Sequence, residues 1–328
     1  MKKITLSLLF FLSLFSLSYA SENTKLDVDV FLYSENDDFI KKLSNDFNDS
    51  FIKQDYNIKT FYSNKDILRE QIGVKKAIKQ KTSGIIVNAV DPKNVSDLIK
   101  LAKDSDKPIV FINRKPSDTD LKSYKKAFYV GTDSFNAGEL QADIAISYYE
   151  KNKAIDINKD GVINYLLLKG EIDHQDTISR TLALEQNLNK NDIKFKNIKT
   201  IVANWREDES YYKTFEYISN PVNLNKIEFI ISNNDSMALG AINALKAISH
   251  KRCCIPVIGV DGTTIGHYLV NTDQMIATVN NNSSAQAIVA LEIIKLLNDN
   301  KDVTKDNIKY NIIDEHSILV PYSKILGF

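Results

Sequence analysis

"GIIVNAVDPKNVSDLIKLAKDSDKPIVFIN", residues 84–113, contains one complete structural unit. The apolar runs GIIVNAV (84–90) and PIVFIN (108–113) flank a segment, 92–105, whose apolar residues recur at helical spacing. Short runs rich in Val and Ile read as strands buried on both faces, and the segment between them as a crossover helix. A crossover of this length makes the two strands parallel. Upstream the rhythm repeats: LDVDVFLY (26–33) precedes a helical segment over 37–54, and NIKTFYS (57–63) precedes another over 65–81. Downstream it resumes with NYLLLKG (164–170), IKTIVA (198–203), KIEFIIS (226–232) and CIPVIGVD (254–261), each followed by a helical segment. The expected fold is α/β, with two doubly wound parallel-sheet lobes.

Length agrees with two lobes. The first twenty residues, MKKITLSLLFFLSLFSLSYA, combine two lysines, an apolar stretch, and Ser18 and Ala20 around Tyr19 at the expected cut. This is the pattern of a cleaved secretory signal peptide, 1–20. The apolar stretch falls short of the roughly twenty residues that a bilayer span needs, and no cysteine stands at the cut to take a lipid anchor. The remaining chain of about 308 residues exceeds one ordinary core. A break near YVGTDS (129–134) suits a first crossing between lobes, and YNIIDEHSILVPY (310–322) another. The expected boundaries are 24–132 plus 283–310 for an N-terminal lobe and 133–282 plus 311–328 for a C-terminal lobe.

Charge and composition exclude several classes. Lys plus Arg equals Asp plus Glu at 42 each, so no overall field draws the chain to nucleic acid or an anionic membrane. The only cysteines, Cys253 and Cys254, are neighbours, which argues against a disulfide-stapled scaffold; they read as packing residues before a strand, with a vicinal disulfide as the alternative. Four histidines without H-x-x-x-H spacing leave no recognisable zinc site.

The ends of the apolar runs are polar in a consistent way. Asn113 ends IVFIN, Asn233, Asn234 and Asp235 end EFIISNND, Asp261 ends VIGVD, and Asn280 to Asn282 end IATVNNN. Ligands of open α/β folds bind beyond the carboxyl ends of the strands, so these residues should line one cleft. Each alone also reads as a helix N-cap, and for Asp235, ahead of SMALGAINALKA, the cap is the stronger reading. Amides and carboxylates collected in one place suit a polyhydroxylated ligand.

A second motif is DINKDGVIN, 156–164, which matches the first nine positions of an EF-hand calcium loop. Asp156, Asn158, Asp160 and Asn164 fit the side-chain oxygen positions, and Val162 the backbone carbonyl. Position twelve, which needs a bidentate glutamate, is Leu167 inside an apolar strand-like run, so the missing carboxylate must come from elsewhere. The plain alternative is a solvated turn rich in Asn and Asp.

The stretches DPKNVSDLI, VFINRKPS, SYKKAFYVGTDS, DINKDGVINYLLLKGE, KIEFIISNNDSMALGAINALKA, IPVIGVD and VPY, in that order, resemble the galactose/glucose-binding members of the ribose-type class of two-lobed periplasmic sugar-binding proteins. The resemblance covers nearly the whole chain after residue 20. It implies the type I periplasmic binding protein fold, two lobes joined by three hinge strands, and a structural Ca2+ whose loop is completed by a strand glutamate, here Glu228. It implies a sugar site carried by Asp37 and Phe39 in ENDDFIKK, Asn113 in VFINRK, and His174, Asp176 and Arg180 in GEIDHQDTISR. Trp205 in VANWRED, Asn234, Asp261 and Asn281 complete that site.

The set is chemically coherent for a pyranose, which has two flat C–H faces for aromatic plates and an equator of hydroxyls for charged hydrogen bonds. Trp205 is the only tryptophan; its alternative, a core anchor, fits poorly with polar neighbours on both sides. Asp176 and Arg180, four residues apart, share a helix face and alone would read as a surface ion pair. Lys115 stands where the family pattern has a glutamate, Gln175 where it often has proline, and Asn280 where it has an apolar residue. The function expected is capture of D-galactose or D-glucose and its delivery to an ABC permease, with a chemoreceptor as a second partner and the protein acting as a monomer in the periplasm. The same scaffold holding a pentose or a signalling furanose is the alternative. No enzyme is expected, since hydrolysis needs a carboxylic acid kept protonated beside an apolar wall, whereas Asp37, Asp176 and Asp261 are matched to Arg180 and to hydroxyls.

Overall fold

A computed structural model describes residues 25–49, 52–190, 192–248 and 255–328. The expected signal peptide, 1–20, and the pair Cys253 and Cys254 lie outside the described residues. In chain order the first lobe runs β1 (Leu26–Leu32), α1 (Asp38–Phe47), α2 (Ile52–Asp55), β2 (Tyr56–Tyr62), α3 (Ile67–Lys79), β3 (Gly84–Asn88), α4 (Ser96–Asp104), β4 (Ile109–Ile112), α5 (Asp118–Lys122) and β5 (Ala127–Thr132). The second lobe follows with α6 (Ser134–Lys151), β6 (Val162–Lys169), α7 (Gln175–Asn189), β7 (Lys194–Val202), α8 (Glu207–Ile218), α9 (Pro221–Leu224), β8 (Phe229–Ser232), α10 (Asp235–Ile248), β9 (Val257–Asp261), α11 (Thr264–Asn271) and β10 (Ala277–Asn280). The chain closes with α12 (Ser283–Asn298), β11 (Asn311–Asp314), β12 (Ser317–Val320) and β13 (Ser323–Leu326).

Among the described residues the first sheet has the order β11-β12-β5-β4-β3-β1-β2 and the second β13-β10-β9-β8-β6-β7. Only β11 with β12 and β10 with β13 pair antiparallel; the other pairs are parallel. Every residue of the central strands β3, β4, β8 and β9 is buried, which is why those runs are continuously apolar, while edge strand β2 alternates. Strand period two splits β1 between two cores: Val28, Val30 and Leu32 pack with α1 and α12, and Phe31 packs on the opposite face with Val74 and Leu98.

Among the described residues the chain crosses between sheets three times, after β5, after β10 and after β12. Residues 311–320, assigned from sequence to the C-terminal lobe, instead extend the first sheet. Ile318 pairs with Val130, and Ile318 and Val320 are buried in the same core as Phe128 and Val130. Only β13, from Ser323, returns to the second sheet, antiparallel to β10. The continuous apolar look of SILVPY conceals a break between strands at Pro321 and Tyr322, after which the chain changes partner.

Candidate functional site

The strands of both lobes end at a shared cavity. All ten residues expected to touch a ligand line it. Asp37, Phe39 and Asn113 come from the first lobe, and His174, Asp176, Arg180, Trp205, Asn234 and Asp261 from the second, with Asn281 at the crossing after β10. Three of them, Asn113, Trp205 and Asp261, have left-handed backbones with φ of 66°, 66° and 113°. Asn and Asp enter that region readily, whereas a bulky residue such as Trp205 does so only where surrounding structure imposes it.

Helix starts position the first-lobe groups. Asp37 caps α1, its Oδ1 accepting from the Ile40 N–H at 3.0 Å, while the Tyr33 hydroxyl donates to its Oδ2 at 2.5 Å. Asn113 receives the Asn88 amide on its Oδ1 at 3.1 Å, so its own amide hydrogens remain for the cavity. In the second lobe His174 caps α7: its Nδ1 accepts from the Asp176 N–H at 3.1 Å, which places the proton of the neutral ring on Nε2. Burial holds the His174 imidazole below its ordinary value of 6.5, with Asp176 opposing the shift.

Arg180 is the hub and is 2% exposed, not a surface cation. Its guanidinium donates to the Asn233 carbonyl at 2.6 Å, to Asp176 Oδ2 at 3.3 Å and to the Tyr322 hydroxyl at 3.1 Å. Asp261 Oδ1 stands 3.9 Å from Nη1. Burial pushes the Asp261 carboxyl well above the ordinary carboxylate range, with Arg180 opposing that shift. Asn281 shares the Asp261 carboxylate through its amide at 3.4 Å and accepts on Oδ1 from Thr132 and Gln286 at 3.0 and 2.8 Å. The His174 and Trp205 rings meet edge to face with centroids 5.2 Å apart.

Asp235 differs from its sequence reading as a helix cap. The Asn234 Oδ1 accepts from the Met237 N–H at 2.9 Å, so Asn234, not Asp235, supplies the side-chain cap of α10. Tyr33 and Arg114 also line the cavity and were missed by sequence. Arg114 lies 3.8 Å from the Tyr33 ring centroid and reaches Glu171 of the second lobe at 3.7 Å. Nothing in the sequence marks them, since Tyr33 continues an apolar strand and Arg114 follows Asn113 among charged residues; only the fold brings them together. Asp38 accepts from Ser236 across the cleft at 2.8 Å, a further contact between lobes. Of the departures from the family pattern, Lys115 pairs with Asp118 at 2.8 Å, and Asn280 donates to Ser323 at 3.3 Å, tying β10 to β13.

The calcium-type loop lies beside Glu228, which is 2% exposed. Glu228 Oε1 accepts from the Ile157 N–H and Oε2 from the Asn164 N–H, both at 2.9 Å. Asp156 Oδ2 accepts from the Gly161 N–H at 2.9 Å, while its buried Oδ1 has no hydrogen-bond partner. Asp160 accepts from the Val162 N–H and the Asn158 amide. Among the described residues no three His, Cys, Asp or Glu side chains gather closely enough to hold an ion.

The model of the periplasmic binding protein domain matches residues 28–302. The chain is 30% identical over 311 residues to the D-galactose/methyl-galactoside-binding periplasmic protein of Haemophilus influenzae, covering 94% of this chain and 90% of that one. Among solved structures it is similar to an ABC transporter solute-binding protein of Bacillus halodurans with bound myo-inositol, at 21% identity and a TM-score of 0.73, covering 94% of this chain and 96% of that one. It is also similar to one of Actinobacillus succinogenes with bound D-allose, at 18% identity and a TM-score of 0.77, covering 92% and 98%. With its two lobes, its three crossings and a relative matched over nearly the full length, the chain belongs to the periplasmic binding protein family, in the ribose/galactose-type group of sugar-binding proteins of ABC transporters.

Proposed function

We propose that the protein captures one hexopyranose, D-galactose or D-glucose, between its lobes and delivers it to an ABC permease. The observation that carries this reading is the meeting of one aromatic side chain from each lobe, Phe39 and Trp205, at a cavity ringed by Asp37, Asn113, Asp176, Arg180 and Asn281. Aromatic faces suit the C–H faces of a pyranose, and a fixed guanidinium with carboxylates on either side suits its hydroxyls. Closure brings both halves of the site onto the sugar and creates the surface that a permease reads. A chemoreceptor is a second reader of the same closed form, the protein acts as a monomer in the periplasm, and its leader is cleaved on export.

For Asp37 and Asp176 the role is binding, not catalysis: Asp37 is fixed by Tyr33 and the α1 N-terminus, and Asp176 by Arg180. A second reading, another small polyol or sugar in the same cavity, is favoured by the bound myo-inositol and D-allose of the two similar structures. Calorimetric titration against D-galactose, D-glucose, D-allose, myo-inositol, ribose and arabinose separates the two. Tightest one-to-one binding of galactose or glucose supports the first reading; preference for any other member of the set replaces it.

We also propose a structural Ca2+ in the loop of residues 156–164. The partnerless, buried Asp156 Oδ1 and the buried Glu228 fit a hard cation with oxygen ligands. Asn158, Asp160, the Val162 carbonyl and Asn164 would complete the set, with Asp160 exchanging the Asn158 amide for the ion. When bound, the ion would supply positive charge facing Asp156, Asp160 and Glu228, which without it do not close into one ligand cluster.

A further inference from the structure

We propose that Asp235, which does not line the cavity, is the positioning residue that holds Asp261 aimed at the ligand. Asp261 and Gly262 both have left-handed backbones, with φ of 113° and 60°, and the next residue, Thr263, opens α11. The strained turn is clamped from α10. Asp235 Oδ2 accepts from both the backbone N–H and the hydroxyl of Thr263 at 2.9 Å, and its Oδ1 accepts from the Thr278 hydroxyl at 2.6 Å. Thr278 in turn receives the Gly262 N–H at 3.3 Å. Asp235 and Thr278 are fully buried and Thr263 nearly so, which makes each of these hydrogen bonds costly to break.

The surroundings are cut to fit this carboxylate. A β-carbon at Gly259 would lie 2.2 Å from Asp235 Oδ1, and one at Gly266 would lie 2.0 Å from Oδ2. Two glycines on different elements thus leave the space that the carboxylate occupies. Burial pushes the Asp235 carboxyl up to about 6, while the hydrogen bonds from Thr278 and Thr263 oppose the shift. A non-glycine residue at φ of 113° is strained and persists only where its neighbours over-determine it. The clamp supplies that determination, and it reaches a ligand-facing group through the turn.

The inference rests on the hexose reading only for its affinity readout. Asp235→Asn and Thr278→Val each remove part of the clamp, and Thr278→Ser retains the hydroxyl. D-Galactose and D-glucose titrations should show affinity about ten-fold or more weaker in the first two and close to wild type in Thr278→Ser. Hydrogen exchange of the Gly262 and Thr263 amides in sugar-free protein should be faster in the first two and unchanged in the serine variant. If Asp235→Asn fails to fold, the threonine pair decides alone. Wild-type affinity or unaltered exchange in a folded Thr278→Val protein overturns the proposal. Where the wild type binds neither sugar, the hexose reading fails and the exchange comparison still decides the clamp.

Discussion

The benzo edge of the Trp205 indole lies directly on Gly170: a β-carbon there would fall 2.2 Å from Cζ2 and 2.4 Å from Cη2. Gly170 follows β6 and Trp205 follows β7, so two neighbouring parallel strands fix the height of the plate above the cavity. Gly170→Ala should push the indole off this seat. We expect overpacking of about 1–3 kcal/mol, a shift in emission of the sole tryptophan, and sugar affinity weakened about ten-fold or more if the ring is displaced into the cavity. Fluorescence and sugar titration of the variant check this together.

His174 gives a pH dependence with a definite sign. Its folded-state value lies below the ordinary 6.5, so the folded protein binds fewer protons than the unfolded chain around that pH. The stability from the neutral ring is complete above about pH 6.5 and is lost as pH falls through the lower folded value. Protonation also removes the acceptor that caps α7 at the Asp176 N–H. His174→Gln should flatten the difference in unfolding free energy between neutral and mildly acidic buffer.

Glu70 has the opposite sign. It is 2% exposed, and its Oε2 accepts from the Val90 N–H at 2.9 Å. Burial pushes its carboxyl from 4.5 to about 7, so its stabilising contribution is complete below pH 4.5 and is lost as pH rises through about 7. A glutamine keeps an acceptor for Val90 without the ionisation cost. Relative to wild type, Glu70→Gln should therefore gain stability across that window, up to about 3 kcal/mol, measured by denaturant unfolding at several pH values.

Much of the site was legible because its residues end strands. Asn113, Asp261 and Asn281 sit where apolar runs stop, and in a parallel fold those stops face one cleft. His174, Asp176 and Arg180 needed the family pattern, since spacing alone makes Asp176 and Arg180 a surface pair, whereas burial against Asn233 and Tyr322 makes Arg180 the hub. Tyr33, Arg114 and the clamp on Asp235 depend on tertiary contacts between distant segments and leave no local pattern. The third crossing was misplaced for the same reason: the fit of Ile318 and Val320 into the first core is a property of β5, not of their own run.

The calcium loop makes a separate prediction. Chelator should lower the melting temperature of the wild type, and Glu228→Gln should lower it without further response to chelator, because the proposed ion would offset repulsion among Asp156, Asp160 and Glu228. Sugar affinity should change little, since none of the loop residues lines the cavity. An unmoved wild-type melting temperature would reduce the loop to a hydrogen-bonded turn.

The most direct measurement follows Trp205 fluorescence during titration with D-galactose and D-glucose, in wild type and in Asp176→Asn. That substitution keeps the shape of the side chain and removes the charge that faces Arg180 at 3.3 Å. The expected result is a saturable one-to-one change in the wild type with at least one of the two sugars, weakened about ten-fold or more in the variant. No saturable change with either sugar at millimolar concentration, or equal affinity in the two proteins, would contradict the proposed placement of a hexose between Phe39 and Trp205 with Asp176 and Arg180 at its rim.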